Sequence, residues 1–236
     1  MKLAIITGGS KGLGAELVKQ YAQQDFEVIE FSRSGNTPYS KNVDLSNLTV
    51  ANQVIAETLE TLSQRQYSEI IAVSNAALLT PIGPLTDSDA SDWVTNINAS
   101  FTSAILFMGS FVKYFQTHDC PKVMASISSG AALNAYHGWS LYCAGKAGLE
   151  HYIRCIAEEQ IEQTHPVVPI NINPGVIDTD MQTAIRGTSE QQFPQRERFV
   201  ELKNSDSLQQ PAAVATAIRS ILAGDLNAGE RYSVAS

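Results

Sequence analysis

Tyr142 and Lys146 stand four residues apart in a run, Ser140-Leu141-Tyr142-Cys143-Ala144-Gly145-Lys146, that reads as helix. At that spacing a phenol and an ammonium share one helix face and can meet. The pair has the chemistry of an acid and its tuner. A free tyrosine has a pKa of about 10, and one ammonium about 4 Å away at an effective dielectric near 20 is worth on the order of 4 kcal/mol, or about three pKa units at most. A phenol so placed is expected to exchange its proton close to neutral pH. The same spacing also occurs on ordinary solvated helix surfaces, so the pair gains meaning only from what accompanies it.

What accompanies it is the turn Thr7-Gly8-Gly9-Ser10-Lys11-Gly12-Leu13-Gly14, which follows an apolar run and opens a helical pattern of Leu13, Leu17, Val18 and Tyr21. Gly8 can take a tight strand-to-helix turn, Gly12 lets the backbone approach a pyrophosphate, and Gly14 lets the helix pack on a sheet. The helix N-terminus adds N–H groups and a positive dipole end. A glycine-rich turn alone is often only a turn; the strand-turn-helix setting makes this one a candidate dinucleotide cradle. The second apolar run ends Glu30-Phe31-Ser32-Arg33. An acidic side chain at the strand end would bind both ribose hydroxyls of NAD and repel a 2'-phosphate, whereas Ser32 and Arg33 can hydrogen-bond and pair with that phosphate. With Lys11 as a second cation, the expected cofactor is NADP(H). Glu30 complicates this if the strand ends earlier, and solvated surface charge is the competing reading of Arg33 and Lys11.

These groups must be held by a scaffold. Leu3–Thr7, Glu27–Phe31, Glu69–Ser74, Lys122–Ile127, Val167–Ile172 and Glu230–Val234 read as strands, six or seven in all with a short one before Asp44. Several are apolar at consecutive positions, as strands buried on both faces of a parallel sheet are. Helical patterns lie near 13–24, 47–64, 88–117, 139–163 and 211–223. The alternation predicts an α/β fold: one Rossmann-type, doubly wound parallel sheet with helices on both faces. Thr86 is expected to cap the helix that follows it, and Pro211 suits a first helical turn. Residues 177–206 show no clear pattern and read as a substrate lid. Without a linker or repeat, residues 1–236 read as a single domain.

The composition of this 236-residue chain, 44% hydrophobic and 17% charged, excludes fibrous and largely disordered classes. A net charge of -8 argues against nucleic acid as a partner. The N-terminal apolar run is too short for a signal peptide or a membrane span, so a cytoplasmic protein without a membrane partner is expected. Cys120, Cys143 and Cys155 have no CxxC spacing, and His118, His137, His151 and His165 never fall at i, i+4, so neither a disulfide framework nor a metal site is expected.

Thr7, Gly8, Gly12 and Gly14 match the signature TGxxxGxG. Asp44, Asn75-Ala76, Asn98, Ser129, Tyr142-x-x-x-Lys146, Pro174-Gly175 and Thr179 follow in order. Over nearly its whole length the chain thereby resembles the short-chain dehydrogenase/reductase family. The resemblance implies that Ser129, 13 residues before Tyr142, holds the substrate carbonyl beside the tyrosine, with Ser126 and Ser128 as competing neighbours. It implies that Asn98 opens its helix locally and holds a water relaying protons to Lys146. Ser10, Lys11, Leu13, Asp44, Asn75 and Ala76 would then line the cofactor, as would Tyr142 and Lys146. Pro174, Gly175 and Val176 would lie against the nicotinamide, and Thr179 at the carboxamide and phosphate region. Where the family usually reads Asn-Asn-Ala-Gly, this chain has Ser74-Asn75-Ala76-Ala77, and binding is expected to survive the change.

The implied reaction is metal-free carbonyl reduction, hydride passing from NADPH while Tyr142 donates a proton and Ser129 stabilises developing charge. Within the family, Ser128–Ala131, Tyr136-x-Gly138-Trp139-x-x-Tyr142-Cys143, Pro174–Gln182 and Arg198-Phe199-Val200-x-Leu202-Lys203 are most similar to sepiapterin reductase and the bacterial benzil reductases. A 1,2-dicarbonyl substrate is implied, with Tyr136, Trp139 and Met181 as candidates for its apolar pocket; plain core packing is their competing reading. His137 and Cys143 receive no role. A homodimer or homotetramer is implied by resemblance only. The alternatives are an NADP-dependent alcohol dehydrogenase of another substrate class, or a non-catalytic NADP(H)-sensing protein, which the intact Ser129, Tyr142 and Lys146 disfavour.

Overall fold

The computed structural model describes residues 1–234. Its strands are β1 (Lys2–Thr7), β2 (Phe26–Ser32), β3 (Ser40–Asn42), β4 (Glu69–Ser74), β5 (Lys122–Ile127), β6 (Val168–Asn173) and β7 (Arg231–Ser233). They form one sheet in the order β3-β2-β1-β4-β5-β6-β7, with every neighbouring pair parallel. The helices are α1 (Gly12–Ala22), α2 (Leu48–Ser63), α3 (Ala90–Ile97), α4 (Ser103–Phe115), α5 (Ser140–Gln160), α6 (Asp180–Arg186), α7 (Arg196–Asn204) and α8 (Pro211–Leu222). Among the described residues none is long and apolar enough to cross a membrane.

Successive strand residues point to opposite faces, and here both faces are covered. Leu3 and Ile5 of β1 and Ile70 and Ala72 of β4 pack against Ile55 and Leu59 of α2, Phe107 and Phe111 of α4 and Ile153 of α5. Ala4, Ile6, Ile71 and Val73 pack on the other face against Leu13, Leu17 and Val18 of α1 and Val214 and Ile218 of α8. That two-sided burial is why the strands read as continuous apolar runs. The chain winds outward from β1 to β3, then crosses back to β4 beside β1, which makes the carboxyl ends of β1 and β4 the switch point where such sheets open a crevice.

Three local readings are corrected. The region expected as one helix over 88–117 is two, α3 and α4, joined by a π-helical turn at Asn98–Thr102, which is the local opening at Asn98 that the resemblance implies. Asp89, not Thr86, stands at the N-cap of α3, where its own N–H meets the Asp92 carboxylate at 3.3 Å; Thr86 lies in a 3-10 turn at Leu85–Asp87. Residues 177–206 are not patternless: they hold α6 and α7 and bury Ile185, Phe193 and Phe199 with Trp139, Tyr142, Leu79 and Ala131 in a third apolar cluster. The chain there is anchored by aromatic side chains instead of by a long helical face. Pro211 opens α8, as expected.

Candidate active site

The cleft at the switch point has a volume of about 1070 Å³ and runs from the glycine turn to the third apolar cluster. At its first end, Gly8 and Gly12 take φ of 71° and 53°, the left-handed region. A Cβ at Gly14 would run into the Gly8 carbonyl, so the helix packs this closely only because the residue is glycine. The turn is tied to β4: Asn75 Nδ2 donates to the carbonyls of Thr7 and Gly8, each at 3.1 Å, and Thr7 Oγ1 accepts the N–H groups of Asn75 (3.0 Å) and Ala76 (3.1 Å). Asn75 therefore shapes the cradle as well as lining it. The two left-handed glycines, the open N-terminus of α1 and the size of the cleft fit a dinucleotide.

At the end of β2, Ser32 is 6% exposed; its hydroxyl donates to Glu30 Oε1 at 3.1 Å and accepts the Gly35 N–H at 3.0 Å. A hydroxyl has one hydrogen, so Ser32, which lines the cleft, reaches a phosphate only by turning that hydrogen away from Glu30. Arg33 is exposed and makes no ion pair among the described residues. Lys11 also lines this end, its ammonium 3.6 Å from the Asp180 carboxylate. Asp44 accepts the N–H and hydroxyl of Ser46 at 2.9 and 2.8 Å, and these bonds hold its carboxyl below the usual range. Ser10 and Leu13 line the cleft near the turn. Pro174, Gly175, Val176 and Thr179 line it from the chain after β6, and Thr179 lies against Gly12.

The floor holds the candidate acid. Ser129 follows β5, and its hydroxyl accepts the Ala131 N–H at 3.1 Å. Tyr142 and Lys146 face the same cleft from α5. Burial pushes the Tyr142 hydroxyl up from its ordinary value, opposed by its hydrogen bond with Ser129. The expectation is a phenol ionising near neutrality, whereas the shift here is upward, and Lys146 Nζ donates to the Ile127 carbonyl at 2.6 Å and stands 5.7 Å from the centre of the Tyr142 ring. Burial also holds the Lys146 ammonium down to about 8, against the carboxylate of Glu150, which raises it. Asn98 is not brought to this floor. Its side chain donates to the Ser46 carbonyl at 3.3 Å, and its own carbonyl accepts from Ser103 N–H, five residues on, within the π-turn.

The far wall is aromatic. Tyr136, Trp139 and Met181 line the cleft, and Trp139 stacks on Phe193 at 4.4 Å and 13°, with Phe199 at 5.6 Å and Tyr142 edge-on at 5.8 Å. Trp139 is 6% exposed, in core contact and on the cleft at once. Its Nε1–H is buried without a hydrogen-bond partner, as are Gln182 Oε1, Arg186 Nη1 and Gln195 Oε1 nearby in sequence to or within α6 and α7. Phe199 falls in the motif Arg198-Phe199-Val200-x-Leu202-Lys203 that carries the resemblance, whereas Phe193, the buried Glu150 and the partly buried Arg231 behind the floor were not picked out from the sequence. Glu150 had a signal, being the next residue after Tyr142 and Lys146 on one helical row; Arg231 had none.

The family model for the short chain dehydrogenase matches residues 2–190. Benzil reductase ((S)-benzoin forming) of Bacillus subtilis (strain 168) is 35% identical over 239 residues, covering 99% of this chain and 98% of that one. Sepiapterin reductase of Mus musculus is 26% identical over 235 residues, with 87% and 85% covered. Among solved structures, a short chain dehydrogenase/reductase of Saccharomyces cerevisiae matches with a TM-score of 0.83 at 23% identity, over 100% of this chain and 97% of its own, a likeness of fold.

Proposed function

This chain belongs to the short-chain dehydrogenase family and is an oxidoreductase acting on CH–OH and C=O groups, and from that premise we propose that it is an NADPH-dependent reductase of 1,2-dicarbonyl compounds. The observation that carries the reading is the convergence of Ser129, Tyr142 and Lys146 on one cleft between the glycine turn and the aromatic wall. Members of the family bind NAD(P); the choice of the phosphorylated form here rests on Arg33 and Lys11 at the turn. The similarity to benzil and sepiapterin reductases supports the substrate class.

When bound, the reduced nicotinamide supplies the hydride for the carbonyl carbon. Tyr142 gives its hydroxyl proton to the carbonyl oxygen, and the Ser129 hydroxyl, whose oxygen already accepts from Ala131, donates a hydrogen bond to that same oxygen. Lys146, charged below about pH 8, offsets the negative charge left on the phenolate. Pro174, Gly175, Val176 and Thr179 hold the nicotinamide end, and the segment 177–206 serves as a lid. The second carbonyl of a dicarbonyl withdraws electron density and makes the reacting carbon more electrophilic. Tyr136, Trp139 and Met181 bury the flanking groups, each worth about 1.5 to 3 kcal/mol when fully buried. A homodimer or homotetramer is part of the same proposal.

The test compares kcat/KM for benzil and 1-phenyl-1,2-propanedione with acetophenone under saturating NADPH. The diketones should be the better substrates. Equal efficiency for acetophenone overturns the dicarbonyl preference and leaves a general carbonyl reductase. Turnover confined to secondary alcohols with NADP+ favours the dehydrogenase alternative.

A further inference from the structure

Behind the floor of the cleft lies a charged pair that the reaction as written does not use. Glu150 continues the row of Tyr142 and Lys146 along α5, one turn further on, and is 4% exposed. Its Oε1 accepts from the Ser128 hydroxyl and, at 2.7 Å, from Arg231 Nε. The other arm of the same guanidinium, Arg231 Nη2, donates to the Ser129 main-chain carbonyl at 3.1 Å. One side chain from β7 thus spans a carboxylate on α5 and the backbone of the residue whose hydroxyl faces Tyr142. Stability gives little reason to keep such a pair, because desolvating two charges consumes most of their attraction.

We infer that Glu150 and Arg231 are positioning residues for the Ser129, Tyr142 and Lys146 set, Glu150 as the counter-charge of the Lys146 ammonium and Arg231 as the clamp on the Ser129 backbone. Lys146 has Tyr142 and Glu150 on its own helix and the Ile127 carbonyl as its hydrogen-bond acceptor. β7 presents Arg231, already engaged by Glu150, and the chain at the ends of β5 and β6 presents the neutral Ser128 and Asn171, the latter donating to the Glu150 carbonyl at 3.3 Å. Glu150, one turn further along the same row of α5, is the anion that opposes the burial holding Lys146 down to about 8. The kinetic arm of the test rests on the carbonyl reductase reading; the spectroscopic arm does not.

The spectroscopic arm follows lysine 15Nζ resonances across pH in the protein without substrate, with Lys146→Met to assign the signal. Glu150→Gln should lower the Lys146 midpoint by up to about one pH unit, the low end of what a nearby opposite charge does. If that variant does not fold, Glu150→Gln with Arg231→Gln, neutral on both sides, should show a smaller fall in the same direction, because the lost Arg231 cation partly offsets the lost anion. Arg231→Lys keeps the charge but loses the fork. It should shift the amide resonances of Ser129 and Ala131, leave the Lys146 midpoint in place and lower kcat at least about tenfold with KM unchanged, as sub-ångström misplacement does. An unmoved Lys146 midpoint in the Glu150 variants overturns the counter-charge role. Unmoved Ser129 and Ala131 amides, or wild-type kcat, in Arg231→Lys overturn the clamp. If the wild type reduces no carbonyl compound, the amide and lysine resonances still decide.

Discussion

Ser32 donates its single hydroxyl hydrogen to the buried carboxylate of Glu30, 3.1 Å away, two residues back on the same face of β2. A phosphate arriving at this strand end cannot take that hydrogen without breaking the bond. Recognition of a 2'-phosphate then falls to Arg33, which is exposed and free of ion pairs among the described residues. Arg33→Ala should weaken NADPH by about 1.5 to 3 kcal/mol, the range for a hydrogen bond to a charged group, and leave NADH nearly unchanged. Calorimetry on both cofactors checks this, and equal affinity of the native protein for the two would refute the NADPH preference.

Ser32→Ala acts differently. It strips the partner from Glu30 Oε1, whose sister oxygen Oε2 already has none, and leaves the Gly35 N–H without an acceptor. An unsatisfied buried polar group costs about 1 to 3 kcal/mol, so urea unfolding should show a loss of that order. A native-like midpoint would mean that the Glu30 carboxylate finds another donor.

Tyr142→Phe keeps the ring in its edge-on contact with Trp139 and removes the proton. Turnover should fall by at least about 100-fold while NADPH still binds. More than about a tenth of native turnover remaining would exclude Tyr142 as the proton donor.

Linear spacing carried the glycine turn and the Tyr142 and Lys146 pair, because each lies within a turn or two of chain. The strands were legible because both sheet faces are covered, so burial marks every residue. What spacing could not carry is a contact made by the sheet order. Arg231 reaches Glu150 across 81 positions only because β7 adds beside β6, and no periodicity records that. Ile185, Phe193 and Phe199 sit in or between two short helices, so no single repeat collects them. The phenol's acidity was misjudged for a related reason: four-residue spacing shows that an ammonium is near but not how thoroughly both groups are desolvated.

Lys146 also makes stability depend on pH with a definite sign. Its folded value of about 8 lies below the ordinary 10.5, so the unfolded chain binds more protons between the two. Stability contributed by this site therefore rises with pH across that window and is lowest below it. At about 1.36 kcal/mol per unit the relief is on the order of 3 kcal/mol. Lys122 is lowered as well, so the quantity to measure is the wild type minus Lys146→Met, by urea unfolding from pH 7 to 10. The tyrosines raised by burial act only above their ordinary value of 10. A pH-independent difference would mean that Lys146 is not desolvated in solution.

The last prediction separates the wall of the cleft from the segment laid over it. Phe193 is fully buried and stacks on Trp139 at 4.4 Å, but it does not line the cleft, whereas Trp139 does. Truncating either opens a cavity in the third apolar cluster, and a buried aromatic replaced by alanine costs about 3 to 5 kcal/mol. Only Trp139→Ala also removes surface that a flanking aryl group would bury. Phe193→Ala should therefore loosen 177–206, seen as faster trypsin cleavage near Arg186 and Arg196, and raise KM for diketone and acetophenone by similar factors. Trp139→Ala should loosen the segment too and in addition narrow the ratio of kcat/KM between benzil and acetophenone. The unpartnered polar atoms at Gln182, Arg186 and Gln195 lie in or beside α6 and α7, where the aromatic contacts add to hydrogen bonds such as Arg196 Nε to the Arg186 carbonyl at 2.9 Å. If Phe193→Ala leaves cleavage and both KM values unchanged, the segment is not held by this stack. If Trp139→Ala leaves the benzil to acetophenone ratio unchanged, Trp139 is a core residue of the cluster and no part of the substrate wall.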